Sequence, residues 1–258
     1  LLGEADLVKT LQQLPGVAVG TEGMTGLYVR GGGADENLYL LDGNPVYHVN
    51  HLLGFFSAFN PDAIKNTRFY KGSFPAEYGG RLSSEYHGNI SVGLLSARAN
   101  LEGPIVKDRS SFNISVRRTW LDLITGTALA IVNKNSDTKE SFGYHFFDIN
   151  AKVNHSFSER SRAYLSFYMG QDAFRQGSKE KHEDSDDMFL WRWGNLIGSA
   201  GWNYVFGQKL FGNLMVGYSR FRSHIRQEAK GYEIEGKREE RQSIKRDSRY
   251  KPEMEDLS

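Results

Sequence analysis

Aromatic rings and imidazoles concentrate in one short stretch of the sequence, and these are the side chains best suited to contact a ligand. They are Tyr47, His48, His51, Phe55 and Phe56. Such side chains bind small molecules by stacking and by hydrogen bonding. The same rings could instead pack inside a small domain. The sequence leaves both interpretations open, and the first of them predicts a substrate-binding loop.

No other group of residues predicts catalysis, a metal site or a cofactor. His48 and His51 have a spacing that suits a metal only on a helix, and the glutamate of a zinc-protease motif is missing, so both are interpreted as loop histidines. Cysteine is absent, which excludes thiol catalysis and cysteine-bound zinc. The glycines at 31–33 lack a following Gly-Lys-Ser or Gly-Lys-Thr and predict a flexible turn. We therefore expect a protein that is not an enzyme and that holds no metal or cofactor.

The composition narrows the class of protein further. The 258 residues carry 32 Lys and Arg against 31 Asp and Glu, and this formal net charge of +1 gives no basic excess for a nucleic-acid partner. No segment approaches the ~18 consecutive apolar residues of a transmembrane helix. A mean hydropathy of -0.51 does not exclude a membrane protein, because a β-barrel wall needs apolar residues only at alternate positions.

Beyond residue 85 the sequence alternates with the two-residue period of β-strands. The clearest example is 147–157, where Phe147, Ile149, Ala151, Val153 and Phe157 alternate with polar residues and only His155 interrupts the apolar series. About seven such strands are predicted, each near the ~9–11 residues that a tilted strand needs to cross a bilayer. Arginine at Ile149 or Val153 is therefore expected to be costly, whereas arginine at Asn150 on the polar face is expected to be mild.

The connections between the predicted strands alternate in length. Short connections are predicted at 104–110, 158–161 and 207–209, and long polar ones at 125–145, 175–190 and beyond 226. Short turns at one end and long loops at the other are typical of outer-membrane β-barrels. Aromatic residues near the predicted strand ends favour an interfacial girdle. They include Trp191, Trp193, Trp202, Tyr204 and Phe206.

The first third of the sequence predicts a small α+β unit. Apolar residues at helical spacing predict a helix over 6–14, which Pro15 ends. Asn60 is positioned to cap a short helix at 61–64. Short strands separated by glycine turns are predicted at 26–30, 38–41 and 67–70.

Several short motifs occur in a fixed order within this unit. They are Leu14-Pro15-Gly16-Val17, Arg30-Gly31, Leu38-Tyr39-Leu40-Leu41-Asp42-Gly43, Arg68-Phe69-Tyr70-Lys71-Gly72 and Glu77-Tyr78-Gly79-Gly80-Arg81. In this order they resemble the plug domain of TonB-dependent receptors, most closely that of Bacteroidetes-type members. The resemblance implies an α+β plug domain over residues 1–84, followed by antiparallel transmembrane β-barrel strands over residues 85–258 that form a partial barrel.

The resemblance also implies roles for individual residues of the plug motif. These are Arg30, Gly31, Asp42, Gly43, Lys71, Gly72, Glu77 and Arg81. The glycines permit tight turns, and the charged residues are expected to make polar contacts with the barrel wall that can be rearranged. The alternative is that these are ordinary solvated surface charges.

The function that the resemblance implies is TonB-dependent active import of a nutrient across the bacterial outer membrane, with the plug gating the barrel lumen. The expected partners are a TonB-type energy-transducing protein acting through a segment before residue 1, the nutrient ligand, outer-membrane lipid and a surface lipoprotein, with no nucleic acid. An alternative of another class is a secreted or surface all-β module for glycan binding or adhesion. It explains the alternation and the aromatic content but not the order of the plug motifs.

Two further expectations concern the extent of the chain. Plugged barrels use roughly 22 strands, so about seven strands predict one part of a larger barrel. The motif that ends at Ser84 runs directly into the strand that begins at Glu85, whereas family members place another short strand and a turn between them. We therefore expect residues to be missing from the sequence between Ser84 and Glu85.

Overall fold

The computed structural model describes most of the chain. The described residues are 6–20, 25–29, 33–34, 37–67, 69, 86–180, 186–207, 210–230, 232–233, 242–243, 246–250 and 253–257. Within these ranges, side chains are described as far as residue 228, except those of Leu53 and Asp186. The predicted break between Ser84 and Glu85 lies outside the described residues, as does much of the strand predicted at 67–70.

The N-terminal unit consists of one short helix and three small hairpin-like pairings. Its elements are α1 (Leu7–Leu11), β1 (Val17–Ala18), β2 (Tyr28–Val29), β3 (Leu40–Leu41), β4 (Asn44–Pro45), β5 (Asn50–His51), a 3-10 segment (Leu52–Gly54) and β6 (Phe56–Ser57). The strands pair as β1 with β2, β3 with β4, and β5 with β6, all antiparallel. The predicted α+β character of this unit is confirmed.

Two helix predictions in this unit differ from the structure. Asp6 caps α1, because its side chain accepts hydrogen bonds from the Val8 and Lys9 amides at 3.0 and 3.2 Å. The helix nevertheless ends at Leu11, since the amide of Leu14 bonds back to the Leu11 carbonyl in a tighter turn and Gly16 has a φ of 78°. The helix predicted at 61–64 is only a hydrogen-bonded turn, in which Asn60 accepts from the Asp62 amide at 3.1 Å.

The second part of the chain is one large antiparallel sheet. Its strands are β7 (His87–Val92), β8 (Ser96–Val106), β9 (Ser110–Thr119), β10 (Thr138–Ser158), β11 (Ser161–Glu180), β12 (Asp186–Val205) and β13 (Phe211–Lys230). Two short strands, β16 (Arg246–Tyr250) and β17 (Glu253–Leu257), pair with β13, while β14 (Tyr232–Glu233) pairs with β15 (Gln242–Ser243). Among the described residues β7 pairs with β8 alone, so the sheet does not close, and the predicted partial barrel of seven strands is confirmed.

The strands β10 to β13 are twice as long as predicted. They contain 20 or 21 residues each, against the ~9–11 that a bilayer requires. The prediction of loops at 138–145 and 175–190 is wrong for most of these residues. Polar residues occupy both faces of the strands there, so the sequence shows no alternation of apolar and polar residues. The wall therefore continues well beyond its membrane-crossing part.

A helix also replaces part of the loop predicted at 125–145. It is α2 (Leu121–Val132), followed by a 3-10 turn (Asn133–Asn135). Pairing between β9 and β10 stops at Phe147, and α2 covers the free edge of β10 beyond that point. The Thr125 hydroxyl donates to the Phe142 carbonyl at 3.0 Å, and the Asn133 amide group exchanges hydrogen bonds with the backbone of Glu140. No helix in the described part of the chain is long and apolar enough to span a membrane.

One face of the sheet carries an apolar band. Val153, Leu165, Ala200 and Val216 are cross-strand neighbours in one row, and Val153, Leu165 and Val216 are 40%, 63% and 51% exposed. Along β10 the band extends from Phe157 towards Phe147, a rise of about 33 Å that becomes about 23 Å across the bilayer at a tilt of about 45°. That height suits the ~25 Å apolar band of outer-membrane barrels.

The girdle prediction holds for only some of the aromatic residues. Trp202, Tyr204 and Phe206 stack in series at the short-turn end of β12, with ring centroids 5.7 and 4.7 Å apart. Trp191 and Trp193 lie on the opposite face, and Trp193 is buried. The prediction for these two residues is wrong, because β12 is longer than expected and places them far from its membrane-crossing end.

The other face of the sheet holds the N-terminal unit. The core of this unit contains Val8, Leu27 and Val46 and continues into the wall through Tyr168 and Ile197. The unit is therefore packed against the sheet as one structure. We call this face of the sheet the inner face and the opposite face the outer face.

Candidate functional site

Side chains of the inner face make hydrogen bonds to the N-terminal unit along several strands. Four of these pairings join neutral groups: Asn44 with Ser199, Asn60 with Ser115, the Pro45 carbonyl with Ser219, and His48 with Asn195. In the last pairing the Asn195 side chain donates to the His48 carbonyl at 2.7 Å and accepts from the His48 amide at 3.4 Å. Small neutral polar groups thus make up much of this interface.

A buried group of ionisable side chains lies at its centre. We call His51, Arg117, Tyr144, Asp148 and Asp172 the polar junction. His51 Nδ1 lies 2.7 Å from Asp172 Oδ2, and its Nε2 lies 3.6 Å from Asp148 Oδ2. Arg117 donates from Nε and Nη2 to Asp148 Oδ2, both at 2.7 Å. The Tyr144 hydroxyl donates to Asp172 Oδ1 and accepts from the Leu52 amide.

The polar junction ties the N-terminal unit to three wall strands at once. Arg117 and Asp148 are direct cross-strand partners on β9 and β10, and Asp172 comes from β11. Arg117 also donates to the Ser57 carbonyl at 2.8 Å. The ring of Phe146 stacks on His51 with centroids 4.1 Å apart, and the Arg117 guanidinium lies 5.0 Å from its centre. Charge pairing, hydrogen bonding and stacking therefore act together here.

Three ion pairs surround this centre at more exposed positions. Asp42 pairs with Lys152, Asp62 pairs with Arg98 at 2.9 Å, and Lys65 pairs with Glu102 at 2.7 Å. The Lys65 side chain is 45% exposed, so this pair contributes little to stability. Each pair nevertheless joins one charge of the N-terminal unit to one charge of the wall.

The turn at Asp42 and Gly43 brings its hairpin against the wall. Both residues have positive φ, 48° and 86°, which is the geometry of a two-residue turn between β3 and β4. A side chain at Gly43 would lie 2.5 Å from the Met215 sulfur. The backbone conformation therefore favours glycine at this position, and a larger residue would also displace the Met215 side chain.

Burial changes the acid–base behaviour of two residues of the N-terminal unit. Desolvation is the largest effect on His48 and lowers its pKa, although the nearby Asp172 carboxylate acts in the opposite direction. His48 lies between Trp193 and Phe221, with ring centroids 5.9 and 5.8 Å away. Burial also raises the pKa of Tyr39 to about 12. Both side chains are therefore favoured in their neutral forms at neutral pH.

The structure divides the predicted substrate-binding loop into two groups. Tyr47 and Phe55 are exposed at 38% and 39%, and His48 is partly buried against the wall. His51 and Phe56 are buried at the interface, His51 in the polar junction and Phe56 beside the Phe146 ring. Two of the five side chains are thus exposed, and two are packed between the N-terminal unit and the wall. Substrate binding by the five residues stays a prediction.

Most of the predicted plug-motif residues lie outside the described residues. These are Arg30, Gly31, Lys71, Gly72, Glu77 and Arg81. Asp42 and Gly43 are described, and both contact the wall as set out above. His48 and His51 have separate partners, and within the described ranges no three His, Cys, Asp or Glu residues are grouped so as to hold a metal ion.

Sequence reasoning did not assign the wall residues of the polar junction to a site. Arg117 and Asp148 are the opposite charges on the polar faces of two neighbouring predicted strands, which is a usable signal. Tyr144 lies in the loop predicted at 125–145, and Asp172 lies just before the loop predicted at 175–190. The sequence therefore does not show that both residues belong to strands and point to the inner face.

Glycine at position 217 of the wall makes room for the N-terminal unit. A Cβ atom there would lie 1.4 Å from the Asn44 side-chain oxygen. We expect Gly217→Ala to destabilise the packing of the unit by about 1–3 kcal/mol, as overpacking does. Thermal unfolding in detergent and limited proteolysis measure this effect.

Gly198 provides the matched control for this substitution. It lies on the neighbouring strand, and a Cβ atom there would have no atom within 4 Å among the described neighbours. Gly198→Ala should leave both the melting temperature and the protease pattern unchanged. Equal behaviour of the two variants would contradict the close contact between Asn44 and Gly217.

The geometry defines a class of protein. Its β-barrel wall is apolar on the outer face, and a separate α+β unit is held against the inner face by hydrogen bonds and ion pairs. Residues 2–83 match the family model described as TonB-dependent Receptor Plug Domain. Residues 2–83 are therefore identified as the plug domain of a TonB-dependent receptor. A plug domain of this family implies an outer-membrane location, nutrient import and interaction with TonB, and it points to a transporter rather than to an enzyme. Comparison with curated proteins and with solved structures found no match.

Proposed function

We propose that this receptor imports a nutrient actively across the bacterial outer membrane, and that the plug gates the lumen of the barrel. In the proposed division of the chain, residues 1–84 are the plug and residues 85–258 are barrel wall. TonB supplies the energy by pulling on the plug. Outer-membrane lipid surrounds the apolar band, and a surface lipoprotein is a further proposed partner.

The observation that supports gating is the polar character of the contact between plug and wall. Hydrogen bonds and ion pairs can be exchanged for bonds to water when the plug moves, so their loss on displacement is partly compensated. Apolar contacts also join the plug to the wall, through Tyr168 and Ile197 and around Phe56 and Phe146, and they give the plug a preferred resting position. An interface of this kind is stable at rest and separable by an applied force.

A disulfide between plug and wall tests the proposal directly. These 258 residues contain 0 cysteines, so Asn44→Cys together with Ser199→Cys introduces two thiols that have no other cysteine partner within this sequence. These positions are in hydrogen-bond contact across the interface. We expect oxidation to stop growth on a nutrient that a receptor-deletion strain cannot use, and reduction to restore it.

The controls distinguish the effect of the disulfide, which tethers the plug to the wall, from the effect of the cysteine substitutions themselves. Each single cysteine variant, and Asn44→Cys combined with Gly198→Cys on the outer face, should support growth under oxidising conditions. Undiminished growth of cells whose receptor is fully cross-linked between positions 44 and 199 would show that plug displacement is not required for import.

A further inference from the structure

The inner face continues above the plug as a surface whose lower end contacts the plug, through Trp193 and His48. Asp172 on β11 and Trp193 on β12 contact the plug and therefore mark the inner face. The pairing of β11 with β12 has no bulge, so every second residue beyond these two lies on the same face. We call this surface the upper inner wall. It contains Phe142, Phe174, Gln176, Phe189, Trp191 and Trp193.

Aromatic rings follow one another over the upper inner wall in two contacting groups. Phe174 lies edge-on to Phe142 and to Phe189, with centroids 5.5 and 6.0 Å apart. Trp191 and Trp193 lie 4.2 Å apart, and Trp193 is edge-on to His48 of the plug. Phe174 and Trp191 are cross-strand partners, so the two groups of rings lie side by side on the inner face between the plug and the outer end of the wall. Phe142 is 41% exposed, so part of the aromatic surface is accessible.

One polar atom in this series points to a missing hydrogen-bond partner. Trp193 is 3% exposed, and its indole N–H has no acceptor among the described residues. The indole N–H of Trp191 by contrast donates to Ser223 at 2.9 Å. A buried donor without an acceptor is costly, and a hydroxyl oxygen of a ligand or a water molecule would satisfy it.

Charge is distributed unequally between the two faces of these four strands. Arg175, Arg192 and Arg222 all occupy outer-face positions. On the inner face above the plug, the described residues of β10 to β13 include no lysine or arginine. They do include the acidic residues Glu140, Glu180 and Asp187. A carboxylate, a phosphate or an anionic iron chelate would find no cation among these described inner-face residues to compensate its desolvation. The neighbouring strand β16 has Arg246 at the far end of β13, opposite Ala229.

We infer that the upper inner wall binds a neutral oligosaccharide, an inference that rests on the proposed import function. A sugar ring presents a flat C–H face to an aromatic side chain and hydroxyl groups around its edge. Amide and carboxylate groups such as the exposed Gln176 and Asp187 are suited to those hydroxyls. The length of the aromatic series provides successive stacking positions for a chain of rings.

Binding of the purified receptor to an array of neutral gluco-, galacto-, manno- and xylo-oligosaccharides tests the inference. We expect at least one of these to bind, and Trp191→Ala to weaken it about tenfold or more. Phe142→Ala, at the accessible end of the series, is a second variant that does not disturb the plug contact. Arg192→Ala, next to Trp191 but on the outer face, should bind as the unsubstituted receptor does.

The outcomes distinguish the ligand class from the import function. Binding of a ferric catecholate chelate or a lysine-rich peptide that is weakened by Trp191→Ala, with no oligosaccharide bound, would overturn the oligosaccharide inference and leave the plug tether result standing. Oligosaccharide affinity that is unchanged in both Trp191→Ala and Phe142→Ala would also overturn it. Normal import by the tethered receptor, with oligosaccharide binding intact, would instead overturn plug gating alone.

Discussion

Arg117→Ala is expected to loosen the plug from the wall and to destabilise the receptor by about 3–5 kcal/mol. The substitution leaves the Asp148 carboxylate buried without its guanidinium partner, and removes the hydrogen bond to the Ser57 carbonyl. Arg117 and Asp148 have side chains only 1% and 0% exposed, so water cannot easily replace the lost charge. A fall in melting temperature and faster proteolysis of the plug measure the effect.

Arg118 is the matched control, because it is the next residue and lies on the opposite face. Its side chain is 49% exposed and pairs with Asp122, at the start of α2, at 3.0 Å. Exposed pairs contribute roughly 0–1 kcal/mol, so Arg118→Ala should change stability little. A similar loss of stability in Arg117→Ala and Arg118→Ala would show that the polar junction does not hold the plug against the wall.

Val153→Arg is expected to destabilise the receptor by about 2–4 kcal/mol, because it places a charge on the outer face near the centre of the apolar band. Val153 lies in the row with Leu165 and Val216, all exposed on that face. Reduced heat resistance of the folded band on gels, and refolding titrations into phospholipid vesicles, measure the loss.

The control for this substitution is Gln176→Arg on the inner face above the plug. Asn150, which the sequence suggested as a mild position, is only 9% exposed because the plug packs over the wall there. Arginine at Asn150 would therefore be costly for a reason unrelated to the membrane. Gln176 is exposed and should accept arginine with little change in stability. Equal penalties at Val153 and Gln176 would contradict the assignment of the two faces.

The membrane-crossing part of the wall was predictable from the sequence because one physical constraint sets its pattern. Lipid requires an apolar residue at each outer-face position, so the series from Phe147 to Phe157 alternates clearly. Above the membrane both faces of the wall meet water or ligand. The strand continues there with polar residues such as Glu140 on the inner face and Lys139 on the outer face, and the period disappears.

The candidate site was only partly predictable, since its residues come from both domains and from distant parts of the sequence. His51 could be singled out by its type, but its partners Asp148 and Asp172 follow it by about a hundred residues of chain and are brought together by strand register. The alternation of apolar and polar residues in β9 and β10 did place Arg117 and Asp148 on the polar face of the sheet. Nothing in the local sequence shows that a plug covers them.

Cross-linking between Asn60 and the two neighbouring residues 114 and 115 of β9 tests the central claim, that the plug is held against the inner face of the barrel wall. Asn60 is hydrogen-bonded to Ser115, whereas Ile114 is 45% exposed on the outer face. With mild oxidant in intact outer membranes, Asn60→Cys combined with Ser115→Cys should form a disulfide, and Asn60→Cys combined with Ile114→Cys should not. Cross-linking to position 114, or to neither position in folded receptor, would contradict the placement of the plug and the assignment of the two faces.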